Sequence, residues 1–109
     1  MLDLRLYMLQ RLSALVMAPL ALGHIAVMIY AVQGGISAGE ILSRTEGSVG
    51  WGLFYGAFVV AVSIHAAIGV RVIAAETLGI RGVSLAALGW LVCLGLLAMG
   101  LTAVFSVTA

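Results

Sequence analysis

The sequence predicts an all-α integral membrane protein built on three transmembrane helices. Three observations carry this. Of 109 residues, 64% are hydrophobic and only 8% are charged, whereas a soluble domain carries about 25% charged residues. Charge-free runs occupy Leu12–Gly39, Gly47–Val70 and Gly82–Ala109, and each exceeds the roughly 20 helical residues that cross a hydrocarbon core of about 30 Å. Strands of that composition would leave sheet edges unpaired in lipid, so the runs must be helical.

The first helix is expected over about residues 9–33. Its apolar run is longer than the core of a signal peptide and contains Pro19 and His24, so it reads as an uncleaved span. Pro19 is expected to kink the helix just before His24. In the connection that follows, Ser37-Ala38-Gly39-Glu40 reads as a capping box, predicting a short surface helix through Arg44. The second helix is expected over about 49–74. Its Gly52 and Gly56 form a GxxxG, which favours close helix packing. A tight connection with Gly79 and Gly82 leads to a third helix over about 83–107. Residues 1–109 read as a single three-helix domain.

Orientation follows from the arginines. With the N-terminus inside, Arg5, Arg11, Arg71 and Arg81 are cytoplasmic and only Arg44 is outside. That asymmetry predicts N-in/C-out, with Tyr30 and Trp51 at the outer interface.

Several function classes are excluded. A net charge of +1 is too small and too scattered for a nucleic-acid surface. Cys93 is the sole cysteine, so disulfides and thiolate metal clusters within the chain are out, and it reads as a small buried apolar residue. No CxxCH offers covalent haem attachment, and no phosphate-binding glycine loop follows a strand pattern.

His24 and His65 lie inside the spans. Ionisable residues at membrane depth are rare and point to function, although a neutral histidine also serves as polar glue between helices. Haem ligation suits two imidazoles, because the ligating ring is neutral and creates no buried charge. Around His65, the helical face comprises Phe58, Ala61, Gly69, Val72 and Glu76; around His24 it comprises Ser13, Met17, Leu20 and Met28. Gly69 and Ala61 are small enough to admit a flat macrocycle. In antiparallel helices the two histidines differ in depth by ~10 Å. Axial nitrogens on one iron are only ~4 Å apart, so the histidines are expected to serve different irons, each completed by another chain.

Arg11 and Arg71 fall at the inner interface, where they suit lipid headgroups, haem propionates or a quinone carbonyl. Ser13, one step deeper, and Tyr7, one turn earlier, are candidates for the same quinone pocket. Glu76 is a candidate proton relay at the mouth.

These residues resemble a known family. Gln10-Arg11-Leu12-Ser13-Ala14 is similar to the His-Arg-x-Ser-Gly segment of the cytochrome b membrane anchors of succinate dehydrogenases and fumarate reductases. His65-Ala66-Ala67-Ile68-Gly69-Val70-Arg71, with Glu76 beyond it, is similar to their His-x-x-x-Gly-x-Arg followed by an acidic residue. Size and three-span layout extend the resemblance over the whole chain. It departs at Gln10 and Ala14, and Glu76-Thr77 stands where some anchors carry Asp-Tyr, which removes a tyrosine that would bind quinone.

The resemblance implies a non-catalytic subunit of a succinate:quinone oxidoreductase. Its partners would be a flavoprotein subunit, an iron–sulfur subunit, membrane lipid and a second anchor chain, identical or paralogous, in a helical bundle around haem b. His65 would be a haem ligand, Arg71 a propionate- or quinone-side residue, and Arg11 with Ser13 would lie beside a ubiquinone or menaquinone. His24 resembles the first-helix ligand of five-span, two-haem anchors, which suggests one haem between paired first helices and another between paired second helices. The location implied is the bacterial cytoplasmic membrane, or the mitochondrial inner membrane in a eukaryote. Two other classes stand beside this: a haem-free anchor or assembly subunit, and a small proton-coupled transporter using the histidines as a relay.

Overall fold

A computed structural model describes residues 4–109. Four helices follow in order: α1, Leu4–Gln33; α2, Ala38–Thr45; α3, Val49–Leu78; α4, Val83–Thr108. Three of them, α1, α3 and α4, are long and apolar enough to cross a membrane. The molecule is a rod of 48 × 22 × 22 Å. Its middle helix is α3, which packs on α1 along one side and on α4 along another, while α2 touches α4.

Two boundaries differ from the sequence reading. α1 begins by Leu4, not near residue 9. Leu4 to Gln10 contains no helix breaker, and helix propagation needs good formers rather than apolar ones. α3 runs on to Leu78, past the expected end near 74. Its stop signal is Gly79, in the left-handed region at φ 69°, and the Ile80 amide also turns back to the Ala74 carbonyl at 3.3 Å. Glycine takes that conformation without the Cβ penalty of other residues. α1 passes through Pro19 without a break.

α2 starts where the capping box places it. The Ser37 hydroxyl oxygen accepts the Glu40 amide at 3.2 Å, and the hydroxyl lies 3.3 Å from the Glu40 carboxylate. Thr45 anchors the other end: it is buried, and its hydroxyl donates to the Val107 carbonyl at 2.6 Å. The Gly47 amide adds a bond to the Thr108 carbonyl at 2.7 Å. These bonds satisfy carbonyls that the last turn of α4 leaves without helical partners. Arg44 reaches back to α1, donating to the Tyr30 hydroxyl at 3.4 Å with its guanidinium 5.7 Å from the ring centre.

Most of the buried side chains are small. Ala61, Ser63, Ala67, Ile68 and Ala74 are the buried residues of α3. α3 and α4 pack closely at Gly100, where an added Cβ would collide with Val59. The GxxxG behaves otherwise than expected. Gly52 faces Thr108 at ordinary van der Waals distance, and Gly56 faces open space. Spacing alone does not say which side of a helix its neighbour occupies. Large apolar side chains point outward, Leu15 at 72% exposure and Leu91 at 73% among them, as lipid-facing surfaces require.

Candidate functional site

Both histidines lie in the seam between α1 and α3. His65 of α3 turns its Nδ1 toward the Ser13 hydroxyl of α1, 3.5 Å away. Ser13 is buried, and its hydroxyl donates to the Gln10 carbonyl at 3.0 Å. His24 of α1 packs its ring edge-on to Tyr55 of α3, centroids 5.6 Å apart, and at a tilt to Phe58, 5.7 Å away. Its Nδ1 is buried without a hydrogen-bond partner. Ser13 shares the His24 face of α1, and Phe58 shares the His65 face of α3. Each touches the other histidine, so the two faces that the sequence distinguishes meet as one interface.

Their separation along that seam can be read from these contacts. Phe58, beside His24, precedes His65 by seven residues, about 10 Å at 1.5 Å per residue. Ser13, beside His65, precedes His24 by eleven residues, about 16 Å on the same rise. The histidines therefore occupy two levels, in agreement with the offset expected from the sequence.

Each level has its own surroundings. Around His24, Trp51 stacks on Tyr55 at 5.6 Å and Phe54 meets Tyr55 edge-on at 5.0 Å. Gly23 allows this cluster to close, since a Cβ there would stand 3.2 Å from the Phe54 ring. Around His65, the Gln10 amide nitrogen lies 3.8 Å from where a Gly69 side chain would begin. Gln10 thus covers the small residue expected to admit a macrocycle, and its Oε1 is buried without a partner. Gln10 and Tyr55 are the neighbours that the sequence reading did not assign. A helical wheel of α3 would have placed Tyr55 near the seam, whereas Gln10 needed the register of α1 against α3.

The other candidates separate into three places. Arg11 donates to the Tyr7 hydroxyl at 3.4 Å and holds its guanidinium 5.7 Å from the ring centre. Both are exposed. Ser13 is not with them: two residues of helix turn it about 200° away from Arg11. Arg71 lays its side chain over Gly89 of α4, whose added Cβ would sit 3.8 Å from Arg71 Cδ. Six residues separate it from His65, so the two lie about 120° apart around α3. Glu76 lines a shallow cleft with Arg81 at the end of α3. The structure thus joins Ser13 with His65 and Tyr7 with Arg11. It does not gather Ser13, Arg11, Tyr7 and Glu76 into one pocket.

Two apolar grooves, about 440 and 530 Å³, run along one side of α3 and share Leu9, Val60 and Ile64. The first passes between α1 and α4, and among the described residues Arg71 is its one charged lining residue. The second passes Ser13 and Ala61, beside the His65 level. Among the described residues, no three His, Cys, Asp or Glu side chains gather around a common point.

No curated protein and no solved structure matches the chain. A family model does: the succinate dehydrogenase/fumarate reductase transmembrane subunit matches residues 2–103. That match takes in α1 to α3 entire, both histidines and most of α4, and with the three spanning helices it shows that the chain belongs to the family of succinate dehydrogenase/fumarate reductase transmembrane subunits.

Proposed function

We propose that this chain is a haem b-bearing membrane anchor, a single domain that links an iron–sulfur subunit to membrane quinone. The observation that carries the reading is the placement of two imidazoles in one apolar seam at two levels, one with a buried, unpartnered nitrogen. A buried polar atom without a partner is costly, and coordination to iron is one way to complete it. The offset gives each histidine its own iron, so each needs a second imidazole from a partner anchor. Bound haem supplies one-electron transfer between the iron–sulfur subunit and quinone. The chain's own work is ligation by His65 and His24, exclusion of water by the aromatic cluster, and positive charge at the inner end from Arg11 and Arg71. Tyr7 orients Arg11 for a quinone carbonyl, and Glu76 beside Arg81 offers a proton-bearing group at the same end. A flavoprotein subunit would carry the dicarboxylate chemistry on the cytoplasmic side, with the chain oriented N-in/C-out.

A second reading, a haem-free anchor, draws on the His65–Ser13 contact, since polar contacts of that kind also hold membrane helices together. One experiment separates the two. The detergent-solubilised complex is purified from wild type, His24→Ala and His65→Ala, and its haem is quantified by pyridine haemochrome and redox difference spectra. Two haems per anchor pair, each lost with its own histidine, support the proposal. Full assembly without a Soret band establishes the haem-free anchor instead.

A further inference from the structure

We propose that Ser13 is a positioning residue for His65: its hydroxyl holds the imidazole in the tautomer with the proton on Nδ1, so that Nε2 presents its lone pair. The inference rests on the reading that His65 ligates haem. A serine hydroxyl has one proton and two acceptor lone pairs. The Gln10 carbonyl can only accept and is the nearer partner at 3.0 Å, so it takes the hydroxyl proton. Toward His65 Nδ1, at 3.5 Å, the same oxygen can then only accept. An accepting neighbour selects the N–H form of that nitrogen, and in a neutral imidazole the other nitrogen is left bare. Ser13 is 7% exposed, so bulk water does not compete for the hydroxyl.

This gives Ser13 a different task from the quinone contact expected of it. Its hydroxyl is buried between two helices, with its proton committed, on the opposite side of α1 from Arg11. The polar groups placed on this level are Ser13, the Gln10 carbonyl and side-chain amide, and His65. None of them bears a fixed charge that would impose the other tautomer. The physical effect is that of an outer partner on a ligating histidine. Such a bond fixes the ring plane and raises the basicity of the coordinating nitrogen. A more basic axial ligand favours ferric over ferrous iron.

The test uses the purified complex carrying Ser13→Ala, Ser13→Thr or Ser13→Cys, with His65→Ala alongside. Three properties are read: haem midpoint potential, the low-spin ferric EPR signal and haem retention in detergent. In Ser13→Ala the potential of the His65 haem rises, its EPR signal shifts or broadens, and its affinity falls roughly 10- to 100-fold. Ser13→Thr keeps the hydroxyl and restores all three. Ser13→Cys, close in volume but a weak acceptor, follows Ser13→Ala and serves if the alanine variant does not assemble. If His65→Ala loses a haem while Ser13→Ala and Ser13→Cys keep the wild-type potential and signal, the proposal for Ser13 is overturned and the ligand assignment stands. If His65→Ala keeps every haem, the ligand assignment itself is overturned and the proposal goes with it.

Discussion

Replacing Gly100 by alanine places a methyl group against Val59, and the structure sets what that costs. Three Val59 atoms crowd the new carbon: Cγ1, Cγ2 at 3.0 Å and Cβ at 3.3 Å. Rotation about χ1 cannot clear the contact, because Cβ does not move with it and a helical valine holds one rotamer about 90% of the time. α3 and α4 must therefore separate locally. Overpacking of this kind costs about 1–3 kcal/mol, and three crowded atoms argue for the upper end. Alanine returns about 1 kcal/mol in helix propensity. The net loss is about 2 kcal/mol, roughly 30-fold in the packing equilibrium. Gly56→Ala is the control, since nothing lies within 4 Å of its added carbon. SDS titration of the detergent-solubilised complex, followed by tryptophan fluorescence, suits the measurement, as Trp51 and Trp90 sit on α3 and α4. Gly100→Ala should unfold at lower SDS than Gly56→Ala, and Val59→Ala should rescue it in the double variant with a coupling energy above about 0.5 kcal/mol. Equal midpoints for Gly100→Ala and Gly56→Ala would refute the claim that this contact sets the α3–α4 distance.

Two further outcomes are expected. Thr45→Val removes the buried hydroxyl that donates to the Val107 carbonyl at 2.6 Å. This should cost about 1–2 kcal/mol locally and speed amide exchange across α2 while leaving α3 unchanged. Uniform exchange rates would show that α2 is held by something else. In a Cys93→Ser background, Ala38→Cys should react with an impermeant maleimide added outside intact cells, and Ile80→Cys only after the membrane is opened. The reverse pattern would invert the orientation drawn from the arginines.

Much of the fold was legible from residue order alone. Apolar length located three spans, and Ser37 and Glu40 located α2, whereas α3 ends at Gly79 and not near residue 74. The misplaced start of α1 has a simple cause: Arg5 and Arg11 mark where the hydrocarbon ends, not where hydrogen bonding within the helix ends. At the site, the two histidines and their difference in depth were readable from helix rise. Their neighbours were not. Depth and the family resemblance both group Ser13 with Arg11, yet a spacing of two residues puts them on opposite sides of a helix. Arg71 was grouped with His65 through a shared motif, although the motif spreads its residues around α3.

The order of residues by itself determined that this chain crosses a membrane, how many times, and where its rare polar groups fall along each span. These follow from local physics: in lipid every backbone N–H and C=O must bond within its own helix, so each segment's state is decided by its own residues. Only the tertiary structure decided that α3 lies between α1 and α4, that Ser13 meets His65, and that His24 enters an aromatic cluster. The spans are apolar on nearly every face, so no amphipathic stripe marks which side meets protein and which meets lipid. Packing among similar surfaces is settled by small residues and shape, at Gly23 and Gly100, and those contacts join positions far apart in the chain.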